Sequence, residues 1–149
     1  GQSVDSPKFQ YKLAFFRHLN AWLRETCDPD DDLVLMGDIN IAPGPGDVWS
    51  VEAIEGQPSY HPLEHAQWRE LLDFGLEDVV KEHLKPEQYS FFDYRGGAFH
   101  RNRGWRIDHI LTTGSVADEV ADAWIDRDWR KQRGDIKPSD HCPVGIQLA

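Results

Sequence analysis

The chain has 149 residues, of which 40% are hydrophobic and 11% aromatic, and its 16 basic and 26 acidic residues give a net charge of −10. These values are typical of one globular domain and exclude an intrinsically disordered chain. No apolar run approaches the roughly 20 residues that span a bilayer, and the first residues lack the basic flank and apolar core of a signal peptide. The two cysteines, Cys27 and Cys142, lie far apart and do not have the spacing of a metal site or a redox motif. This suits a reducing compartment, so we expect a cytoplasmic protein without a membrane partner.

The first third of the chain is predicted to form a helix, a strand and a long loop. Ser6 and Pro7 begin a predicted helix that continues to about Thr26, because apolar residues then recur at helical spacing. The apolar run 33–36 predicts a buried strand that ends at Gly37 and Asp38. The proline- and glycine-rich segment 42–62 predicts a loop too long to be a simple connection.

The remaining residues alternate between helices and strands. We predict helices over 63–73 and 76–84, separated at Gly75, and a short helix over 115–120. We predict strands over 89–94, 106–111, 121–126 and 144–148. The sequence therefore predicts a mixed fold of α and β elements layered around a sheet.

The positive charges are concentrated in two segments. Residues 93–108 and 127–137 carry nine of the 16 basic residues and four of the 26 acidic residues, interleaved with Tyr94, Phe99, Trp105 and Trp129. Net negative charge argues against a polyanionic partner, but this mixture of cations and aromatic rings suits contact with a nucleic-acid backbone and bases. Two solvated loops are the alternative interpretation.

Three polar clusters lie at predicted strand ends. Asp38 and Asn40 follow the first strand, and alternation places them on one side. Asp108 lies within an apolar strand, where a buried carboxylate needs a partner, and Ser139, Asp140 and His141 precede the last strand. Taken singly, each cluster also fits a structural role as a turn, a satisfied core carboxylate or a loop cap.

Together, four motifs identify a family resemblance: GDIN at 37–40, YSFFDYR at 89–95, NRGWRID at 102–108 and PSDH at 138–141. The whole chain resembles the C-terminal part of exonuclease III-type enzymes, in the superfamily that includes the abasic-site endonucleases and DNase I. GDxN and SDH alone indicate the superfamily, whereas NRGWRID and YSFFDYR favour its DNA-repair branch. The resemblance implies an α/β (α+β) fold, in which residues 1–149 form the C-terminal half of a four-layered αββα, DNase I-like sandwich whose N-terminal half is absent.

The resemblance also implies the roles of four catalytic residues. Asp38 activates or orients the attacking water, and Asn40 hydrogen-bonds the nucleophile or a phosphate oxygen. His141 contacts the phosphate, and Asp108 pairs with its other ring nitrogen, which favours the imidazolium. Hard ligands suit Mg²⁺, with Mn²⁺ as a substitute, and the implied metal-binding residues are Asp38, Asn40, Asp140 and His141.

The implied partner is double-stranded DNA, especially at abasic sites and 3′ ends. Phe91 and Trp105 resemble the aromatic walls that receive a sugar without a base, while Arg95, Arg101 and Arg103 contact phosphates. Contacts from Trp129, Arg130 and Lys131 are an open alternative to a solvated loop. The remaining histidines match no catalytic position and are assigned to the surface or to packing: His18, His61, His65, His83, His100 and His109.

The half of the family fold that this sequence lacks supplies an early Asn, a metal-binding Glu and an active-site Tyr. We therefore expect an exposed apolar sheet face, which the N-terminal half in trans or a second copy would cover, or which would lead to partial unfolding and aggregation. We also expect weak activity from this chain alone.

The resulting functional hypothesis is Mg²⁺-dependent hydrolysis of DNA phosphodiesters in base-excision repair, with 3′–5′ exonuclease, abasic-site endonuclease and 3′-phosphodiesterase activities. A superfamily phosphatase acting on small phosphoesters is one alternative, although it has no need for the arginine- and aromatic-rich segment 93–108. A non-catalytic half-domain that binds DNA or protein is the other, although it has no need for the full polar set.

Overall fold

The computed structural model describes residues 3–149, which form a mixed α and β structure. Its longest element is helix α1 (Pro7–Thr26), and the Phe9 amide donates a hydrogen bond to the Ser6 side chain at 3.3 Å. The cap and the proline at the first helical position explain why the helix begins here. The predicted apolar stripe is confirmed as the buried face, which comprises Phe9, Leu13, Phe16, Asn20 and Leu23.

Within residues 3–149, five strands form two antiparallel sheets. The larger sheet has three strands in the order β1-β3-β2, and the smaller sheet has two. In the larger sheet the strands are β1 (Val34–Asp38), β2 (Leu76–Asp78) and β3 (Asp108–Thr113), and in the smaller they are β4 (Val120–Ile125) and β5 (Val144–Leu148). The last two strands lie close to their predicted positions.

Three further helices complete the regular structure: α2 (Val51–Ile54), α3 (Pro62–Phe74) and α4 (Gly114–Ala117). Helices α1 and α3 pack on one side of the larger sheet, in a core that includes Phe16, Leu23, Trp68, Leu71 and Leu111. Short 3₁₀ turns span Pro45–Asp47, Lys81–His83 and Arg127–Arg130. The long loop predicted over 42–62 is therefore interrupted by a turn and by α2.

Strand β1 is buried on one face only, so the prediction of a buried strand is wrong for the other face. Leu33 and Leu35 pack against the helical core, whereas Val34 is 39% and Met36 is 67% exposed. A run of four apolar residues resembles a strand covered on both faces. Pleating, however, turns successive side chains to opposite sides, and the described residues cover one side only.

Two other predicted elements are wrong in type. Residues 76–84 form β2 and a 3₁₀ turn instead of a helix, because Leu76 pairs with Thr113 of β3. Residues 89–94 form no continuous strand; Phe91 alone makes isolated bridges, to Trp105 and to His141. Both differences come from pairing with residues distant in the sequence, which overrides local preference.

Two predicted boundaries are shifted. Strand β3 begins at Asp108, two positions later than expected, and the short helix begins at Gly114. Cys27 and Cys142 are both free. Across residues 3–149, no helix combines the length and apolar character needed to cross a membrane.

Candidate active site

Residues of two predicted polar clusters line one cavity of about 790 Å³: Asp38, Asn40, Asp140 and His141. The third, Asp108, hydrogen-bonds His141 of the cavity wall. The antiparallel register pairs Asp38, the last residue of β1, directly with Asp108, the first residue of β3. The segment before β5 brings Asp140 and His141 to the same place, because the Phe92 amide donates to the Asp140 carbonyl at 2.9 Å. Sheet register and one loop contact therefore assemble residues that are far apart in the sequence.

His141 lies between two carboxylates. Its Nδ1 is 2.8 Å from Asp108 Oδ2 and 3.0 Å from Asp108 Oδ1, while its Nε2 is 3.9 Å from Asp38 Oδ2. The Phe91 ring packs against the imidazole, with ring centroids 5.0 Å apart. The hydrogen bond to Asp108 places a proton on Nδ1 and orients the ring, so that Nε2 faces Asp38.

The charges of this arrangement shift two pKa values. Burial alone would lower the pKa of His141, but the hydrogen bond and charge of Asp108, with the charges of Asp38 and Asp140, raise it above 6.5. Burial and the charge of Asp108 raise the pKa of Asp38 above 3.8. The site therefore favours an imidazolium beside a carboxylate that is a stronger base than an exposed aspartate.

Several polar groups of the site could contribute to a metal centre. Ligand atoms of Asp38, Asp108 and His141 lie within 4.8 Å of one another, and Asn40 and Asp140 line the same cavity. Because both Asp108 oxygens face His141 Nδ1, the oxygen ligands left for a cation are those of Asp38 and Asp140, with the Asn40 amide beside them. The metal set expected from the resemblance thus surrounds one cavity.

The predicted substrate-binding residues separate into two groups. Phe91, Arg95 and Trp105 line the cavity, and Phe91 and Trp105 exchange backbone hydrogen bonds at 2.9 and 3.0 Å. Arg101 and Arg103 are exposed and are not among the described residues of the cavity wall. The Arg103 guanidinium lies over the Trp49 ring, 4.9 Å from its centroid.

The second basic segment is partly structural. Arg130 is buried, its guanidinium lies 4.9 Å from the Tyr94 ring centroid, and it donates to the Phe92 carbonyl at 3.3 Å. Lys131 pairs with Asp128 at 2.6 Å, whereas Trp129 is 57% exposed. This segment therefore exposes fewer unpaired positive charges than its sequence indicates.

A buried ion-pair network behind the cavity was missed by the sequence analysis. Arg106 is 1% exposed and donates to Asp47 Oδ1 at 2.8 Å and to Asp78 Oδ2 at 2.6 Å. Its Nη1 also lies 3.0 Å from Nδ1 of His109, whose Nε2 lies 2.7 Å from the Ile41 carbonyl. The sequence motifs could not predict these partners, because Asp47 lies 59 positions before Arg106 in the chain. The network joins the loop after Asn40, β2 and the start of β3.

Histidine side chains outside the site have structural surroundings. Burial and the positive charge of Arg106 lower the pKa of His109 to about 4, so its imidazole is neutral within the network. His61 caps α3 by accepting from the Leu63 amide at 3.1 Å, and His65 Nε2 lies 2.8 Å from the Ala42 carbonyl. The others, also outside the described cavity wall, are His18, His83 and His100.

Comparison with known proteins identifies the family of this chain. The Endonuclease/Exonuclease/phosphatase family profile matches residues 2–141. The chain is 36% identical to exodeoxyribonuclease III of Haemophilus influenzae over 150 residues, covering 95% of this chain and 55% of that protein. The chain belongs to the endonuclease/exonuclease/phosphatase family, as the motifs indicate.

Solved structures show the same relationship. A 3′ phosphatase from Neisseria, bound to a product DNA hairpin, superposes with a TM-score of 0.90 and 35% identity over 100% of this chain and 57% of its own. An AP endonuclease from Archaeoglobus fulgidus gives a TM-score of 0.90 and 35% identity over 99% of this chain and 57% of its own. These likenesses confirm the predicted DNase I-like fold. The chain spans about half the length of the relatives it matches.

The buried network generates a stability prediction. Arg106→Met should lower the free energy of unfolding by about 3–5 kcal/mol, because it leaves the carboxylate of Asp78 without its cation and Asp47 with Lys81 as its remaining basic partner. Urea denaturation measures this change. The control is Arg24→Met, which removes an exposed ion pair with Glu70 and should cost less than about 1 kcal/mol. Equal losses in the two variants would contradict the structural role of Arg106.

The Asp108–His141 pair generates a pH prediction. In metal-free buffer, NMR titration of His141 should give a pKa above 6.5, and Asp108→Asn should lower it towards that value by removing the paired charge. Since the folded-state pKa is raised, the pair stabilises the fold fully below the ordinary pKa, and this contribution is lost as pH rises through the raised value. An unchanged His141 pKa in Asp108→Asn would contradict the pairing.

Proposed function

We propose that this chain carries the Asp–His–Asp part of the active site of a Mg²⁺-dependent DNA-repair nuclease. The observation that carries the proposal is the imidazole of His141 held between Asp108 and Asp38, in a cavity with an aromatic wall. Hydrolysis of a phosphodiester needs an activated water and stabilisation of negative charge on the phosphate. The two carboxylates and the imidazolium supply groups for both requirements.

Each residue has a defined role in the proposed reaction, and Asp38 is proposed both to accept a proton and to contribute an oxygen to the cation. Asp38 takes a proton from the attacking water, the water oxygen bonds to phosphorus, and the bond from phosphorus to the leaving sugar oxygen breaks. The leaving oxygen takes a proton from solvent water, and Asp38 returns its proton to solvent. The His141 imidazolium stabilises the charge on the phosphate oxygens, and Asp108 keeps that ring charged and oriented. Asn40 hydrogen-bonds the water or a phosphate oxygen without adding charge.

The donor set fits a hard divalent cation. Asp38 and Asp140 offer carboxylate oxygens to an open cavity, which suits Mg²⁺ because this ion prefers oxygen ligands and keeps several waters. Mn²⁺ would accept the same donors. When bound, the cation supplies positive charge next to the phosphate, and the chain's part is to hold it through these oxygens.

The cavity wall suits a DNA strand with an exposed sugar. Phe91 and Trp105 offer an apolar surface to an abasic deoxyribose or a 3′ end. Arg95 pairs with Asp93 at 2.8 Å, and its exposed guanidinium is the group proposed to contact a flanking phosphate. The relatives are named as an exodeoxyribonuclease, a 3′ phosphatase and an AP endonuclease, three activities that hydrolyse phosphoesters of DNA. Exonuclease, abasic-site endonuclease and 3′-phosphodiesterase activities in repair therefore belong to the proposal.

The proposal treats residues 1–149 as half of a catalytic domain, weakly active alone. The exposed side chains of Val34 and Met36 on β1 leave an apolar sheet face open to a partner. An N-terminal half in trans and a second copy both remain predictions for that face.

A duplex oligonucleotide with one abasic-site analogue tests the proposal. The chain should incise it in Mg²⁺ and not in EDTA, and Asp38→Asn should lower kcat by about 10²- to 10⁴-fold, as expected when a general base is removed. DNA affinity, measured by fluorescence anisotropy, should persist in Asp38→Asn.

Three outcomes would contradict this function. Incision unaffected by EDTA or by Asp38→Asn would exclude the proposed chemistry. Binding without any turnover in the wild type would favour the non-catalytic half-domain. Hydrolysis of p-nitrophenyl phosphate without incision would favour a phosphatase acting on small phosphoesters.

A further inference from the structure

Two residues that are not glycine adopt left-handed backbone conformations at the edge of the cavity. Asn40 has a φ of 55° and Ser59 a φ of 73°. The Ala42 amide donates to the Ser59 carbonyl at 2.8 Å, which holds the two segments side by side. Strained residues of this kind persist where the surroundings determine them, and they cluster at functional sites.

The two strained residues contact each other through their side chains. The Ser59 hydroxyl donates a hydrogen bond to Asn40 Oδ1, and both residues line the active-site cavity. Ser59 is 8% exposed, so its hydroxyl is largely shielded from water. Asn40 Oδ1 is thus engaged by a neighbour inside the protein.

The Asn40 backbone is fixed as well. Its amide donates to the Ile107 carbonyl at 3.1 Å, and its carbonyl accepts from the Lys12 ammonium group. Lys12 is held in turn by the fully buried Glu64. With the backbone fixed on both sides, the remaining freedom of Asn40 is the direction in which its amide group points.

We propose that Ser59 is a positioning residue that fixes the Asn40 amide with its NH₂ group towards the substrate. The two ends of an asparagine amide are chemically opposite, because the oxygen accepts and the nitrogen donates hydrogen bonds. With Oδ1 occupied by Ser59, Nδ2 is the end left to donate to a phosphate oxygen or to the attacking water. The inference rests on the proposed function and assigns the metal to Asp38 and Asp140 rather than to Asn40 Oδ1.

Serine at this position supports the inference. Glycine would adopt a φ of 73° without steric cost but has no hydroxyl, whereas serine accepts the strain and supplies the donor. A role in stability alone would favour glycine. Substitution by glycine should therefore separate the two roles by moving stability and activity in opposite directions.

The test compares Ser59→Gly with Glu87→Gly, a matched control. Glu87 has a φ of 62° and lies outside the active-site cavity. Both variants should melt at or above the wild-type temperature, because glycine relieves the strain. In the incision assay, Ser59→Gly should lower kcat about ten- to hundredfold through misplacement of Asn40, with KM changed less than about twofold. Glu87→Gly should leave both constants unchanged.

The Asn40 side-chain NH₂ signals in a ¹⁵N NMR spectrum give a readout without turnover. Loss of these signals in Asn40→Asp assigns them, and Ser59→Gly should shift or broaden them while Glu87→Gly does not. Unchanged signals in Ser59→Gly, or a fall in kcat that follows a fall in melting temperature, would overturn the role of Ser59. A wild-type chain that incises nothing would overturn the proposed function, and the NMR comparison would still decide whether Ser59 fixes the amide.

Discussion

The site depends on the need to pair the positive charge of Arg106, whose guanidinium is almost fully removed from water. A buried cation is tolerated only when its donors are paired, and here Asp47 and Asp78 provide the partners. The Arg106 amide also donates to the Asp47 carbonyl at 2.7 Å. The requirement to pair one charge thus joins a loop and the end of β2 to the start of β3, where Asp108 hydrogen-bonds His141 of the cavity wall.

The arrangement of charges around His141 explains how a chain with net negative charge could act on a polyanion, as proposed. Asp38, Asp108 and Asp140 place three carboxylates around one imidazole, which raises the pKa of His141 and attracts a cation. The charged side chains that line the cavity comprise three acids (Asp38, Asp93 and Asp140) and two basic residues (Arg95 and His141), so a bound cation would favour the approach of a phosphate. With one bound, the imidazolium would add to the positive charge that the proposed phosphate meets, whereas the charge of Arg95 is paired with Asp93 at 2.8 Å. The local balance therefore matters more for the proposal than the net charge of −10.

The sequence predicted what short-range patterns and motifs encode. Ser6 and the helical spacing after it predicted α1 with its buried stripe, and the family resemblance that the motifs carry implied that Asp108 pairs with His141 in one site with Asp38. Long-range pairing was beyond those signals. Leu76 begins a strand because Thr113 lies beside it, and Arg106 is buried because its partners come from distant segments. The sequence likewise did not show which basic residues are buried and which are exposed.

The most direct test of this account is a double-mutant cycle on Asp108 and His141. Rates of incision are measured for Asp108→Asn, for His141→Asn and for the double variant. If the pair acts as one unit, the double variant should be no slower than the slower single variant. Losses that multiply, or single variants that incise at the wild-type rate, would contradict the claim that this pair forms the catalytic centre.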